Sequence, residues 1–169
     1  LCGTHWVPAV LGAIGGALAS GLTLAECSGR IAQVPPFEGR MQPVVTPQGV
    51  TFVRDDFKAP LWTLDACFDF MKTARAVRKI IVIGELSDVV SKKEAKYAKA
   101  AALSQNIADI TVFVGRWASS ALKARKDGDA SALHVFTHVC DAAEFINVTA
   151  RAGDLILLKG SVKQDHLFR

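Results

Sequence analysis

At 169 residues, half of them hydrophobic, the chain suffices for one medium domain, or for a domain with a piece of another, and is no disordered tail. Its formal charge of +4 and pI near 9.0 are only mildly basic, and its lysines are spread over helices with few aromatics between them, which argues against a nucleic-acid surface. Cys2, Cys27, Cys67 and Cys140 include no C-x-x-C pair and point to reduced thiols of a cytoplasmic protein rather than a disulfide frame. The chain starts with Leu rather than Met, as a fragment of a longer protein would.

Trp6 to Leu24 carries no charge, and Gly12 and Gly16 give it a G-x-x-x-G, so it is formally a membrane-span candidate. Its Leu, Ile and Val residues favour insertion by only about 3 kcal/mol before Gly, Pro, Ser and Thr oppose it. The large residues Val7, Val10, Leu11, Ile14, Leu18 and Leu22 form one stripe, with small residues opposite. This predicts a helix buried on two faces in a soluble protein, ended at Gly21. Thr23 then caps a shorter helix from Leu24 to about Gln33, stopped by Val34-Pro35-Pro36, the best candidate boundary in the chain.

Met41–Thr46, a Pro47-Gln48-Gly49 turn and the strand after it read as a hairpin. The second strand runs into Asp55, Asp56 and Lys58, and Pro60 opens a helix. Asp55 and Asp56 are expected near the free N–H groups of that helix, where negative charge is worth about 0.3–1 kcal/mol. A lysine in the same turn is not needed for capping. An acid for hydroxyls and a cation for an anion at a helix start suit a nucleotide; a capped turn with a surface lysine is the plainer alternative.

From Pro60 onward the pattern is regular. Leu61, Leu64, Phe68 and Met71 have helical spacing, and Lys79–Ile83 is an apolar run of strand length. A helix from Ser91 to about Asn106, a strand Ile110–Val114 and a helix through Leu122 follow. Leu133–Phe136 is the next strand, a helix carries Val139, Ala143, Ile146 and Ala150, and Asp154–Leu158 is the last strand. The polar stretch 125–131 is the most exposed loop. Apolar strands separated by helices predict an α/β fold, a mostly parallel sheet with helices on both faces.

Ligands of such sheets gather beyond the carboxyl ends of the strands. That rule nominates Asp55, Asp56 and Lys58, Glu85 and Asp88, Arg116, His138, and Lys159, Ser161, Lys163, Asp165 and His166. The chain has neither a G-x-x-x-x-G-K-[ST] phosphate loop nor a G-x-G-x-x-G fingerprint. Ser161, Asp165 and His166 could be assembled as a nucleophilic triad, but their spacing is not diagnostic. His134, His138 and Cys140 have metal-like spacing, yet no single regular element would carry all three, so no metal site is expected. Asn147-Val148-Thr149 is a formal glycosylation sequon on a helix.

The order of the signals resembles one family. Gly3-Thr4-His5 opens a small-residue helix, Pro-Phe-Glu-Gly39-Arg40-Met-Gln follows, and a hairpin leads into Asp55-Asp56-Phe57-Lys58-Ala59-Pro60. Lys79-Ile-Ile-Val-Ile-Gly84 and Gly153-Asp-Leu-Ile-Leu-Leu-Lys-Gly160-Ser161 complete the series. Together they resemble the Mur ligases, above all those that add D-alanyl-D-alanine to a UDP-MurNAc-tripeptide. The resemblance implies the later part of an ATP-dependent amide ligase of peptidoglycan precursor synthesis, in which an acyl-phosphate is attacked by an amine. Residues 1–36 would be the last helices of a central ATPase domain, and 37–169 a C-terminal Rossmann-like domain that closes over ATP.

Residue by residue, the resemblance places His5, Arg40 and Asp56 on the nucleotide, Asp56 at the ribose hydroxyls. Lys58 would lie near the terminal phosphate as the catalytic cation, sharing one rim with Arg40 and Asp56. Lys159, Ser161, Asp165 and His166 would stand near the incoming amino acid or dipeptide. ATP and Mg2+ are the implied cofactors, the metal held mainly by upstream residues, and the partners are UDP-MurNAc-peptide-like substrates and the upstream domains. The chain departs from the family's pattern at Trp6 and Ala9, where asparagines are usual, in the shortened Phe-Lys-Ala-Pro after the paired acids, and in Glu85-Leu-Ser-Asp88. Lacking the phosphate loop, it is not expected to act alone. A free-standing α/β binding module and a membrane-anchored α/β domain are the competing readings.

Overall fold

Strands β1 (Gln42–Val45) and β2 (Thr51–Asp55) form an antiparallel hairpin, closed by the Thr46 N–H on the Val50 carbonyl at 2.9 Å. Strands β3 (Arg78–Ile83), β4 (Ile110–Val114), β5 (Leu133–Phe136) and β6 (Asp154–Lys159) are parallel to β2. The computed structural model, which describes residues 1–125, 132–162 and 167, joins them into one sheet in the order β1-β2-β6-β3-β4-β5. The last strand thus inserts between β2 and β3, and every residue of β6 is buried. Its uninterrupted apolar run suits a strand covered on both faces.

The helices are α1 (Val7–Ala19), α2 (Leu24–Ala32), α3 (Leu64–Thr73), α4 (Lys93–Ser104) and α5 (Val139–Thr149). Side-chain alternation divides the core into two layers. Val53, Ile81, Ile83, Phe113, Leu155 and Leu157 meet α3, α4 and the 3-10 segment Ala118–Ala124. Ile80, Val82, Val112, Ile156 and Leu158 meet Ala142 and Ile146 of α5. Tyr97 of α4, 1% exposed, accepts the Leu86 N–H at 2.8 Å and so anchors the loop after β3.

Several expectations are corrected. Helix α1 buries none of its residues: Val7, Leu11 and Leu18 are 50%, 61% and 43% exposed, and a Cβ at Gly12, Gly15 or Gly16 would meet nothing within 4 Å. Its apolar stripe has the right spacing, but the described residues place only α2 beside it. At 13 residues it spans about 20 Å, and no helix among the described residues is long and apolar enough to cross a membrane. The helix expected through Leu122 is the 3-10 segment already noted. Lys92, in the left-handed region at φ 52°, delays α4 to Lys93. Of the polar loop 125–131 only Arg125, exposed, lies within the described residues. Helix α2 starts as read, with Thr23 accepting the Glu26 N–H and Glu26 accepting the Thr23 N–H. Those hydrogen bonds, backbone first, hold Glu26 below the usual carboxylate range.

One buried ion pair fastens the amino end of the sheet. Arg78 and Asp154 open the adjacent strands β3 and β6 in register, and the guanidinium meets both carboxylate oxygens at 3.1 and 2.6 Å. Asp154 also accepts the Arg151 N–H at 2.8 Å. Burial works to raise its pKa, but the Arg78 and Arg151 hydrogen bonds win and hold it below the usual carboxylate range. This stabilisation is therefore complete above the unfolded aspartate pKa of about 3.9 and is lost as pH falls through the lower folded value. Arg78→Met, which strands a buried carboxylate, is expected to cost about 3 kcal/mol in urea unfolding at pH 7. Asp154→Asn should flatten the acid limb of the stability curve below about pH 4; an unchanged limb would assign the acid sensitivity to other groups.

Candidate functional site

The two core layers predict what happens where β2 and β6 end. Val53 and Asp55 project to the α3 side of β2, and Leu155, Leu157 and Lys159 do so on β6. Asp55 and Lys159 are register partners, so the apolar stripe ends in an acid and a base side by side. Lys159 Nζ lies 2.5 Å from Asp55 Oδ2, with the lysine side chain 1% and the aspartate side chain 13% exposed. Asp55 also accepts the Cys67 thiol at 2.9 Å and the Met41 N–H at 3.2 Å, while Lys159 reaches the Lys58 carbonyl at 3.4 Å. Burial, with the neighbouring Asp55 charge adding to it against Lys159, pushes the Cys67 thiol well above its ordinary pKa.

This pair forms the floor of a cavity of about 700 Å³. One wall comes from the amino-terminal segment, with His5 and Trp6 on the 3-10 turn Thr4–Trp6 and Pro8 on α1. Gly3 permits that turn: its φ is 96°, and a Cβ there would lie 2.7 Å from the His5 ring. The opposite wall carries Arg40, Lys58 and Trp62. Arg40 is exposed and stacks over Phe57 at 4.4 Å; Lys58, its side chain 51% exposed, pairs with Asp88 at 3.2 Å. The cavity offers two exposed cations, the carboxylates of Asp65, Asp69 and Asp88, indole and proline surfaces, and a fixed acid–base floor, which together suit a ligand that carries charge of both signs and a flat or apolar part.

A second cavity, about 540 Å³, adjoins it and shares Arg40. Asp56, 1% exposed, faces this one and pairs loosely with Arg54 at 3.4 Å. Gly39 turns above it at φ 65°, where a Cβ would stand 3.1 Å from Asp56 Oδ1, and its carbonyl accepts the Phe57 N–H at 3.1 Å. Arg40, Asp56 and Lys58 thus do not line a single rim. Arg40 stands between two cavities, with Lys58 in one and Asp56 in the other.

The remaining candidates are distributed as follows. His5 and Lys159 belong to the larger cavity, and Ser161 is buried just beyond β6. Asp165, His166 and Lys163 lie outside the described residues. Glu85 and Arg116 pair with each other at 2.7 Å and line neither cavity. The expectation that Asp55 and Asp56 serve the following helix is corrected. The 3-10 turn Leu61–Thr63 and α3 have no side-chain cap, because both acids are engaged by buried cations from β6 and β2. His134 packs on Phe145 at 4.3 Å, and among the described residues no three His, Cys, Asp or Glu side chains converge as a metal site. Asp55 as floor, Cys67 and Trp62 were missed from the sequence; a charged residue ending each of two apolar runs was the one available signal.

Residues 39–162 match the family model for the Mur ligase, glutamate ligase domain. Among solved structures, the chain is similar to MurF from Acinetobacter baumannii, with a TM-score of 0.81 and 22% identity over 94% of this chain and 35% of that one. UDP-N-acetylmuramoylalanyl-D-glutamyl-2,6-diaminopimelate–D-alanyl-D-alanyl ligase from the same organism gives a TM-score of 0.77 and 21% identity over 94% and 34%. UDP-N-acetylmuramate-alanine ligase MurC from Thermotoga maritima gives 0.69 and 17% over 95% and 35%. At these identities the likeness is one of fold, and the chain spans about a third of the length of each. No curated protein matches the sequence.

The buried floor makes two measurable demands. Asp55→Asn and Lys159→Met should each destabilise by about 3–5 kcal/mol, and the double variant by clearly less than their sum, because each single change leaves one buried charge unpaired. Additive losses in chemical denaturation would show that the two side chains act independently. In the native protein at pH 8, Cys67 should resist iodoacetamide while exposed Cys140 is alkylated, as mass spectrometry of the peptides would reveal.

Proposed function

The chain belongs to the Mur ligase family through its glutamate ligase domain, and on that premise we propose that it is the closing portion of an ATP-dependent amide ligase acting in the cytoplasm on peptidoglycan precursors. The observation that carries the reading is the larger cavity, a space of about 700 Å³ lined by Arg40 and Lys58 together with His5 and Trp6. Residues 1–36 supply one wall as the end of a central ATPase domain, and 37–169 supply the other, so a nucleotide bound between them is met by cations from the sheet domain.

In this reading a substrate carboxylate attacks the terminal phosphorus of ATP, giving an acyl-phosphate and ADP. An amino acid or dipeptide amine then attacks the acyl carbon, phosphate departs, and the nitrogen loses its proton. Lys58 lies beside the charge that develops on the transferring phosphoryl group, and such electrostatic help is commonly worth 10²–10³ in rate. Arg40 orients the phosphates from the boundary of the two cavities. By the resemblance Asp56 is the acid for the ribose hydroxyls; it is buried, with Arg54 at 3.4 Å from each of its oxygens. Lys159 and Ser161 hold the edge that the amine approaches, Lys159 as part of the floor. Magnesium accompanying the nucleotide takes its ligands mainly from upstream residues, as the resemblance implies. UDP-MurNAc-peptide-like acids and amino acid or dipeptide amines are the substrates, D-alanyl-D-alanine first among the amines by likeness to the Acinetobacter baumannii ligase.

In the intact protein, Lys58→Ala should leave the melting temperature within about 2 °C, since the Lys58–Asp88 pair is half exposed. The same change should lower ATP-dependent phosphate release about 100-fold. Steady-state rates equal to wild type would remove Lys58 from the machinery.

A further inference from the structure

From Asp88 to Lys99 the chain carries four lysines, Lys92, Lys93, Lys96 and Lys99, against two acids. Both acids are paired with cations from other segments, Asp88 with Lys58 at 3.2 Å and Glu94 with Lys123. Among the described residues none of the four lysines makes an ion pair, whereas Lys58, Lys72, Lys123 and Lys159 each do. Lys93 stands over the Trp117 ring at 5.3 Å and keeps its charge. Asp65 is the other acid of the groove that Lys96 and Lys99 line.

The lysines are arranged along a line. Lys92, Lys96, Lys99 and Leu103 recur at helical spacing and form one stripe on α4, about 10 Å from first lysine to last. Lys92 and Lys99 are exposed, and Leu103 is partly so. Just ahead of the stripe the backbone throws out a tip. Asp88 and Lys92 both lie in the left-handed region, at φ 60° and 52°, which is uncommon for residues other than glycine. Between them Val89 is buried, while Val90 is 94% exposed. An apolar side chain is thus held in water beside lysines that have no acid of their own.

We propose that the α4 stripe and the Val90 tip form a peripheral docking surface for an anionic lipid bilayer. The inference is independent of the ligase reading. Every cation here is a lysine, a point charge on a flexible stem, without the planar fork that suits bidentate recognition. The four are spread along the outside of a helix instead of converging on one point, so they match a diffuse layer of headgroup phosphates. Val90 adds an apolar contact beside them, and basic charge joined to apolar burial is what holds a peripheral protein at such a surface. Each lysine near an anionic leaflet strengthens association about five-fold, and salt screens the attraction.

The test is co-flotation of the intact protein with phosphatidylcholine vesicles, with and without about 30% phosphatidylglycerol, at about 50 and 300 mM salt. Binding is expected to the anionic vesicles at low salt, and to be at least about ten-fold weaker at high salt or without phosphatidylglycerol. The triple variant K92Q/K96Q/K99Q should keep the melting temperature within about 2 °C and bind about 100-fold more weakly. V90S should weaken binding about three-fold. R75Q/R151Q, which removes exposed arginines at the opposite end of the sheet, should bind within about two-fold of wild type. Absence of flotation, equal flotation on both vesicle types, wild-type binding by the triple variant, or an equal loss in R75Q/R151Q would each overturn the surface. Tighter binding to a single-stranded oligonucleotide of about 20 residues than to the anionic vesicles would assign the lysines to nucleic acid and overturn it as well.

Discussion

The buried contact between Lys159 and Asp55 is the constraint on which the candidate site depends. Two parallel strands from opposite ends of the domain finish side by side, and their last side chains on the α3 face are a base and an acid. Removing both charges from water costs several kcal/mol per ion, and their attraction offsets that only when the remaining hydrogen-bonding positions are filled. Here they are filled from three different segments: the Met41 N–H before β1, the Lys58 carbonyl after β2 and the Cys67 thiol of α3. What the pair secures is position more than stability. Met41 follows Arg40 and Lys58 follows Asp56 by two residues, so the backbone that presents the exposed cations is tied to the sheet through one buried node.

The amino-terminal segment stands in contrast to this anchored region. Helix α1 leaves Val7, Leu11 and Leu18 of its apolar stripe exposed and Val10 and Ile14 half-buried, and α2 buries only Cys27. The segment is joined to the rest at its start: Trp6 stacks on Phe37 at 6.2 Å, nearly parallel, Cys2 packs against the α3-side core, and the turn Thr4–Trp6 lies against α3. The larger cavity is therefore bounded by one wall tied into the sheet and one wall whose helices bury little of themselves. On the ligase reading that difference is useful, because a site that admits and releases a nucleotide has to open along a weak seam while its chemical groups stay fixed.

The sheet was legible because its strands are continuous apolar runs of the right length, ended by Gly, Asp or Lys. β4 and β5 coincide with their sequence reading, and β3 and β6 differ from theirs by one residue. The order of the strands is another matter. No local signal says that β6 returns to lie between β2 and β3, and without that placement Asp55 has no reason to meet Lys159. The two acids after β2 were read as serving the next helix because local sequence offers only local partners; buried cations from β6 and β2 outcompeted the free N–H groups. The opposite failure befell α1, whose stripe was a sound helix signal but carried no information about what lies against it. Lys58 was nominated by its place after β2, whereas Arg40 and His5 came from the resemblance, and the cavity that they line could not be drawn from spacing alone.

The chemistry of the α3 face changes in steps from core to cavity, and each step has a physical reason. Leu155 and Leu157 pack in a dry layer with Phe68 and Met71, where any polar atom would be stranded. One strand position further, Lys159 can be charged only because Asp55 is beside it. Cys67 suits the border between them: it packs like a small apolar residue, yet gives a weak hydrogen bond to Asp55. A serine would offer a stronger donor at a higher desolvation cost, and an alanine would leave a carboxylate lone pair unfilled. Beyond the pair, Lys58 and Arg40 are half or wholly exposed and free to exchange partners. The gradient puts the immobile charges below and the exchangeable ones above, so an anion entering the cavity can displace the Lys58–Asp88 contact without disturbing the pair beneath it.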